Sequence, residues 1–163
     1  MNIFILHEDP VVAAQMLCDR HVPKMIVESA QMLSTAHRLL DGIPEKRPSK
    51  SGKTIQTYYA FGDERDKLYY AAVHKHHPCT TWTMESSQNY KWHYKHFYAM
   101  GQEFTYRREK SHKTIELLGK LLSKIPENIP HGPLTPFAQA MPVEYKHDSA
   151  VVAYRRYYQS KDN

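Results

Sequence analysis

His21, Lys24 and Glu28 stand three and four residues apart, and Gln31, Thr35 and Arg38 continue the series. On an α-helix those positions fall along one side. An imidazole, an amine and a carboxylate in a row are the groups that general acid–base chemistry uses. They need a rigid element that turns them toward a substrate. The competing reading is a solvated helix face whose Lys24–Glu28 pair is worth ~0.3–0.5 kcal/mol.

Other reactive groups cluster less usefully. His74, His76, His77 and Cys79 fall within six residues, but their spacing matches no common zinc pattern and no second ligand pair follows at the usual distance. That stretch reads as a cationic loop, with His77 packed beside the start of the next helix. His93 and His96 are one helical turn apart, an arrangement more often buried or superficial than metal-binding. Ser51-Gly-Lys-Thr54 lacks the glycine and the strand that a phosphate-binding loop requires. A dinucleotide fingerprint, paired CxxC motifs and the deaminase signature are missing. No metal and no cofactor is expected.

The chain of 163 residues, 41% hydrophobic, is long enough for one domain with a real core. Its formal net charge is +5, beside eleven histidines, twelve tyrosines and two tryptophans. Basic and aromatic side chains together suit a polyanion carrying flat bases, hence DNA or a nucleotide as partner; a basic soluble protein without such a partner is the alternative. No apolar run reaches the ~18 residues of a membrane span, so no membrane partner is expected. The first residues do not form a signal peptide. With Cys18 and Cys79 as free thiols, the expected setting is a reducing cytoplasm.

The elements that must position the reactive groups are mainly helical. Asp19 to Gly42 reads as one amphipathic helix: Val22, Met25, Ile26, Met32, Leu33, Ala36 and Leu40 form its apolar stripe, Asp19 caps it, Pro23 fits its first turn and Gly42 its stop. Before it, Met1–Leu6 is extended and packs on the core, and Asp9-Pro10 opens a short helix. Residues 43–62 read as a mobile basic loop, on account of Pro44, Pro48, Gly52 and the basic Lys46, Arg47, Lys50 and Lys53; within it Thr54–Phe61 has strand character. Thr80–Lys110 is helical, its main helix beginning at Ser86 or Ser87 with Tyr90, Tyr94, Phe97, Met100 or Gly101, and Phe104 buried. A third helix runs from His112 to Ile125, capped by Ser111 and ended by Pro126. A Pro-rich loop over 126–142 drapes on the core, and Asp148 caps a last helix to about Ser160. The expected fold is mainly α: a compact single-domain helical bundle over 1–163, with long Pro-rich loops and at most a short strand pair.

Four stretches, MNIF, CDRHVPKMIVESAQMLSTAHR, HKHHPCTTWTMESSQNY and TPFAQAMPVEYK, resemble a family of small, mostly uncharacterised tailed-phage proteins. The chain is also similar to the pyrimidine-dimer DNA glycosylases of phages. In those enzymes an early helix carries a histidine and, seven residues later, a catalytic glutamate, as His21 and Glu28 stand here. His77 to Trp82 and the closing Ala-Tyr-Arg-Arg-Tyr-Tyr, 153–158, resemble further parts of that fold. The resemblance implies a compact, mostly helical protein that binds duplex DNA. It implies that the α-amino group at the chain start attacks the anomeric carbon of a nucleotide, an imine forms, the base leaves and β-elimination cuts the strand. An α-amine, of pKa ~7.7–8.0 as a class, suits that attack, and Glu28 would stabilise charge and move protons. Here Asn2 follows Met1, and a bulky second residue keeps the methionine. The nucleophile is then Met1's amine, with Lys24 as a replacement amine.

The expected function is therefore a DNA base-excision enzyme, a glycosylase/AP lyase in character, with Glu28, Met1, Lys24 and His21 as catalytic groups. Arg20, Gln31 and Arg38 are expected to contact the nucleic acid, together with Lys75, His77, Asn89 and Arg107. The alternatives are an enzyme of phage nucleotide or DNA-base modification using the His21/Lys24/Glu28 row, and a non-catalytic nucleic-acid-binding protein.

Overall fold

The computed structural model describes residues 1–161. Among them are seven α-helices and one two-stranded antiparallel sheet: α1 (Pro10–Gln15), α2 (His21–Asp41), β1 (Ile43–Pro48), β2 (Ile55–Ala60), α3 (Arg65–Leu68), α4 (Pro78–Glu85), α5 (Ser87–Arg108), α6 (Lys113–Leu118) and α7 (Ala150–Gln159). The fold is mainly α, as expected. No helix among the described residues is long and apolar enough to cross a membrane.

Two long helices, α2 and α5, carry the core, with α1 and α4 packed against them. Val22, Met25, Ile26, Met32, Leu33 and Ala36 of α2 are buried, and so are Tyr90, Phe97, Met100 and Phe104 of α5. The apolar stripes are the faces by which the helices meet. Gly101 lets α6 approach α5 closely, since a Cβ there would stand 2.6 Å from Ile115 Cδ1. Ile3 to Leu6 are buried without forming a strand.

Local chemistry sets the helix ends. Asp9 accepts from the N–H groups of Val11 and Val12, Ser86 from Asn89 and Ser149 from Val152. His77 and His112 cap α4 and α6 through a ring nitrogen. The cap of α7 is thus Ser149 rather than Asp148, and that of α6 is His112 rather than Ser111. Asp19 does not cap α2: no side chain caps that helix, and the Asp19 carboxylate takes Arg107 Nη1 instead, at 3.0 Å. Gly42 ends α2 in an extended conformation; a Cβ there would meet the Arg38 carbonyl oxygen at 2.5 Å.

Two stretches differ from expectation. The segment read as a basic loop over 43–62 is largely a hairpin, with Ile43 opposite Ala60 and Pro48 opposite Ile55. The β-branched and aromatic residues of β2 supply a pairing partner, and prolines are tolerated in a strand that has a free edge. The helix expected over 112–125 stops at Leu118 and leaves only a 3₁₀ turn, Leu121–Ser123. The Tyr94 hydroxyl of α5 donates at 2.6 Å to Gly119 O, the carbonyl that Ser123 N–H would need in a continued helix, and Tyr90 donates to Leu122 O at 2.7 Å.

Candidate active site

The polar side of α2 is not a solvated face. The segment from Tyr69 to His77 and the chain start cover it. Thr35 Oγ1 donates to Gln31 O at 2.7 Å and accepts from Val73 N–H at 3.1 Å. Arg38 is 1% exposed. Glu28 is nearly covered, with 14% of its side chain exposed, and Lys24 alone of the row points out, at 65%.

What covers Glu28 is the chain start. Its Oε2 lies 3.7 Å from the Met1 α-nitrogen and accepts from Asn2 N–H at 3.1 Å. Lys24 Nζ is 3.9 Å from Oε1. The two oxygens thus divide between the α-amine and a lysine. A cavity of about 130 Å³ opens here, bounded by Met1, Phe4, His21, Lys24, Glu28 and Tyr157, with Lys161 at its edge.

Asn2 fixes the amine in this position. Its Oδ1 accepts from Ile3 N–H at 2.8 Å and Phe4 N–H at 3.2 Å, while Nδ2 donates to Ala140 O at 2.8 Å. The turn it closes carries Phe4 into left-handed backbone, φ 56°, a conformation that costs a side-chain-bearing residue ~1–2 kcal/mol. In return the Phe4 ring lies flat against His21, centroids 5.5 Å apart and planes within 2°, and edges onto Tyr158. Lys161 Nζ stands 4.4 Å from the Tyr157 ring centroid and 5.6 Å from that of Phe4. The mouth is therefore aromatic and cationic.

His21 Nδ1 lies 2.8 Å from the Tyr158 hydroxyl, which also accepts from Cys18 N–H at 2.9 Å. Tyr158 satisfies both contacts by donating its own proton to Nδ1, leaving His21 protonated on Nε2. Burial lowers the His21 pKa, and Lys161, Lys24 and Arg20 lower it further. His21 is thus a neutral imidazole near pH 7. His77 Nδ1 accepts from Cys79 N–H at 3.1 Å. Burial first, then the charge of the chain-start amine, lowers its pKa.

Of the residues expected to touch nucleic acid, three are structural. Arg38 donates to the carbonyls of Tyr59, Asp66, Tyr69 and Tyr70 and to the Asp66 carboxylate. Asn89 is buried between Trp82 O, at 2.8 Å, and Thr135 Oγ1, at 2.7 Å. Arg107 ties the α1–α2 link to α5 through Leu17 O, Gln15 O, Asp19 and Glu103. The two arginines donate to main-chain and carboxylate oxygens, and Asn89 to a carbonyl and a hydroxyl. Arg20 and Lys75 are exposed and Gln31 is half-buried. His77 is half-buried, caps α4 and sits near the chain-start amine. The residues that sequence reasoning passed over are Asn2, Phe4, Tyr157, Tyr158 and Lys161. The closing aromatic-basic run was the one signal for the last three; nothing local marks Asn2 as a clamp.

The remaining histidines are core groups. His93 bridges Thr83 Oγ1 at 2.7 Å and Ser29 Oγ at 3.0 Å, and burial pushes its pKa down to about 3. Burial likewise lowers His96, whose nitrogens face Pro10 O and Ile3 O. Among the described residues no group of three or more His, Cys, Asp or Glu is arranged to hold a metal ion. A larger cavity, about 500 Å³, lies near the far end of α2, and several of its polar groups are engaged elsewhere. Asp41 accepts from Glu127 N–H and Asn128 N–H, Arg65 pairs with Asp63, and His37 Nε2 meets the Tyr90 hydroxyl at 2.9 Å.

The chain matches no family model, no curated protein and no solved structure.

Proposed function

We propose that this protein is a DNA base-excision enzyme of glycosylase/AP lyase type, with the Met1 amine as nucleophile and Glu28 as its acid–base partner. The observation that carries the reading is the 3.7 Å approach of the Met1 nitrogen to Glu28 Oε2 in a partly open cavity. A carboxylate at that distance can take a proton from the amine and return it to a departing base. A cavity of about 130 Å³ accepts a sugar, whereas whole-ligand pockets run from ~300 Å³. The base then lies outside, against the aromatic mouth formed by Phe4 and Tyr157.

The uncharged amine attacks C1′ of the deoxyribose; the new C–N bond forms as the glycosidic bond breaks. The base leaves with the electron pair and takes the proton that Glu28 has received from the amine. Ring opening gives an imine between Met1 and C1′. The carboxylate removes a C2′ proton, the electrons form the C2′–C3′ double bond, and the 3′ phosphate departs, cutting the strand. Water hydrolyses the imine and frees the amine. Lys24, largely exposed and on the other carboxylate oxygen, serves this scheme as a cation near the backbone phosphate and not as the nucleophile. His21, neutral and hydrogen-bonded to Tyr158, is a wall of the site and a donor through Nε2.

Borohydride reduction in the presence of duplex DNA containing an abasic site tests the scheme. The expected product is a covalent adduct that peptide mass spectrometry assigns to Met1, lost in Glu28→Gln and retained in Lys24→Ala. Glu28→Gln should keep the wild-type melting temperature to within a few degrees, because an amide oxygen can still accept from Asn2 N–H. An adduct on Lys24, or no adduct with the wild-type protein, overturns the proposal. Salt-sensitive DNA binding without an adduct would instead identify a non-catalytic binding protein.

A further inference from the structure

The β1–β2 hairpin has no role in the site just described, yet it is the most exposed regular element of the protein. Every residue of β1 is exposed, as are Ile55 and Gln56 of β2 and the connecting turn from Lys50 to Thr54. Its charge is one-sided: Lys46, Arg47, Lys50 and Lys53 against Glu45 alone. The base of this arm is firmly held. Arg38 donates to Tyr59 O at 2.7 Å, and its guanidinium lies 5.0 Å from the Tyr58 and Phe61 ring centroids.

We propose that this hairpin is a grip for duplex DNA, entering the major groove as a two-stranded ribbon and holding phosphates with Lys50 and Lys53 at its tip. Two paired strands ~4.8 Å apart fit a groove ~12 Å wide, and six residues of strand extend ~20 Å. Charge complementarity selects a polyanion. The prolines at 44 and 48 cannot donate backbone hydrogen bonds, so β1 is a poor template for adding a protein strand. The deep, narrow major groove of duplex RNA does not admit such a ribbon. The hairpin also leads toward the chain start: Lys75 Nζ lies 3.3 Å from the Tyr59 hydroxyl, and His77, two residues on, sits near the chain-start amine.

The inference rests on the proposed function in taking DNA as the polymer, but its test does not require catalysis. Fluorescence anisotropy of a labelled 20-base-pair DNA duplex, titrated at several salt concentrations, reads the grip directly. The double variant Lys50→Ala/Lys53→Ala should bind about tenfold more weakly and lower the salt slope by about 2. Both lysines are exposed and the described hydrogen bonds leave their side chains free, so the fold is spared. The charge-matched control Lys91→Ala/Lys95→Ala, on the exposed side of α5, should bind nearly as wild type, and duplex RNA should compete poorly. Equal losses in the two double variants, an unchanged tip variant, no binding by the wild-type protein, or effective competition by duplex RNA each overturn the proposal. Borohydride capture of 2-deoxyribose 5-phosphate reads the Met1 amine without any polymer. A failure of the amine chemistry and a failure of the grip are therefore seen separately.

Discussion

Asn2 is the residue whose role is least visible in the chain and most direct in the structure. One side-chain oxygen closes the turn that strains Phe4, and one side-chain nitrogen anchors that turn to Ala140 O. The Met1 amine owes its place beside Glu28 to this clamp. Asn2→Ala removes the anchor and leaves two buried N–H groups without their acceptor, a cost of ~1–3 kcal/mol for each group left unpaired. We expect a lower urea midpoint. We also expect loss of the borohydride adduct that exceeds what the stability loss explains, tested at a temperature where the variant is fully folded. An adduct formed at the wild-type rate by folded Asn2→Ala would show that the amine needs no clamp. The same scale shows how Arg38, Asn89 and Arg107 are tied into the fold. A residue type suited to phosphate or base contacts is equally suited to collecting buried carbonyls, and only its surroundings separate the two uses.

Among the elements, α2 works on both sides. Its apolar stripe builds the core, and its polar stripe forms the wall onto which the chain start and the segment 69–77 are laid. Arg38 is the fastening for that cover and for the hairpin base. Replacing it with Met leaves the carbonyls of Tyr59, Asp66, Tyr69 and Tyr70 without their Arg38 donor and the Asp66 carboxylate with Phe61 N–H and Gly62 N–H but no cation. Breaking a buried charged network in this way costs ~3–5 kcal/mol. We expect Arg38→Met to destabilise by that amount in urea titration, and amide exchange to quicken first across β1 and β2. Uniform loss of protection across all elements would argue against Arg38 as a local fastening. The hairpin itself was half legible. Ile55 to Ala60 announces a strand, but the pairing partner contains two prolines and reads as loop. Likewise His112–Ile125 has a helical apolar pattern, and a tyrosine hydroxyl from another helix takes a carbonyl that its continuation would need. Elements set by their own periodicity were readable; elements set by a partner's hydrogen bonds were not.

At the scale of the whole molecule, buried imidazoles govern the response to acid. Burial holds His37 neutral down to about 4 and His93 down to about 3. In the unfolded chain the same groups titrate near ~6.5. As the pH falls the unfolded state takes up protons that the folded state refuses. Stability is therefore complete above pH ~6.5 and is lost as the pH drops through about 4 for His37 and about 3 for His93. For His37 the full loss is roughly 3 kcal/mol. Calorimetry should show a melting temperature that falls steadily below pH 6.5, with a shallower fall in a His37→Gln variant. A variant with the wild-type slope would assign the acid sensitivity to other groups. In a protein that carries so many histidines the assignment matters, because the cavity at the chain start is lined by a different one, His21.

The amino-acid order alone determined the mainly helical class, the apolar faces of α2 and α5, and the row in which His21, Lys24 and Glu28 stand, because helical periodicity is a local property of the chain. Only the tertiary structure decided that this row is roofed over, that its roof is the chain start, and that Arg38 is spent inside while Lys50 and Lys53 stand outside. Those outcomes depend on which distant backbone groups arrive beside a side chain, and the sequence spacing of a single helix carries no information about them.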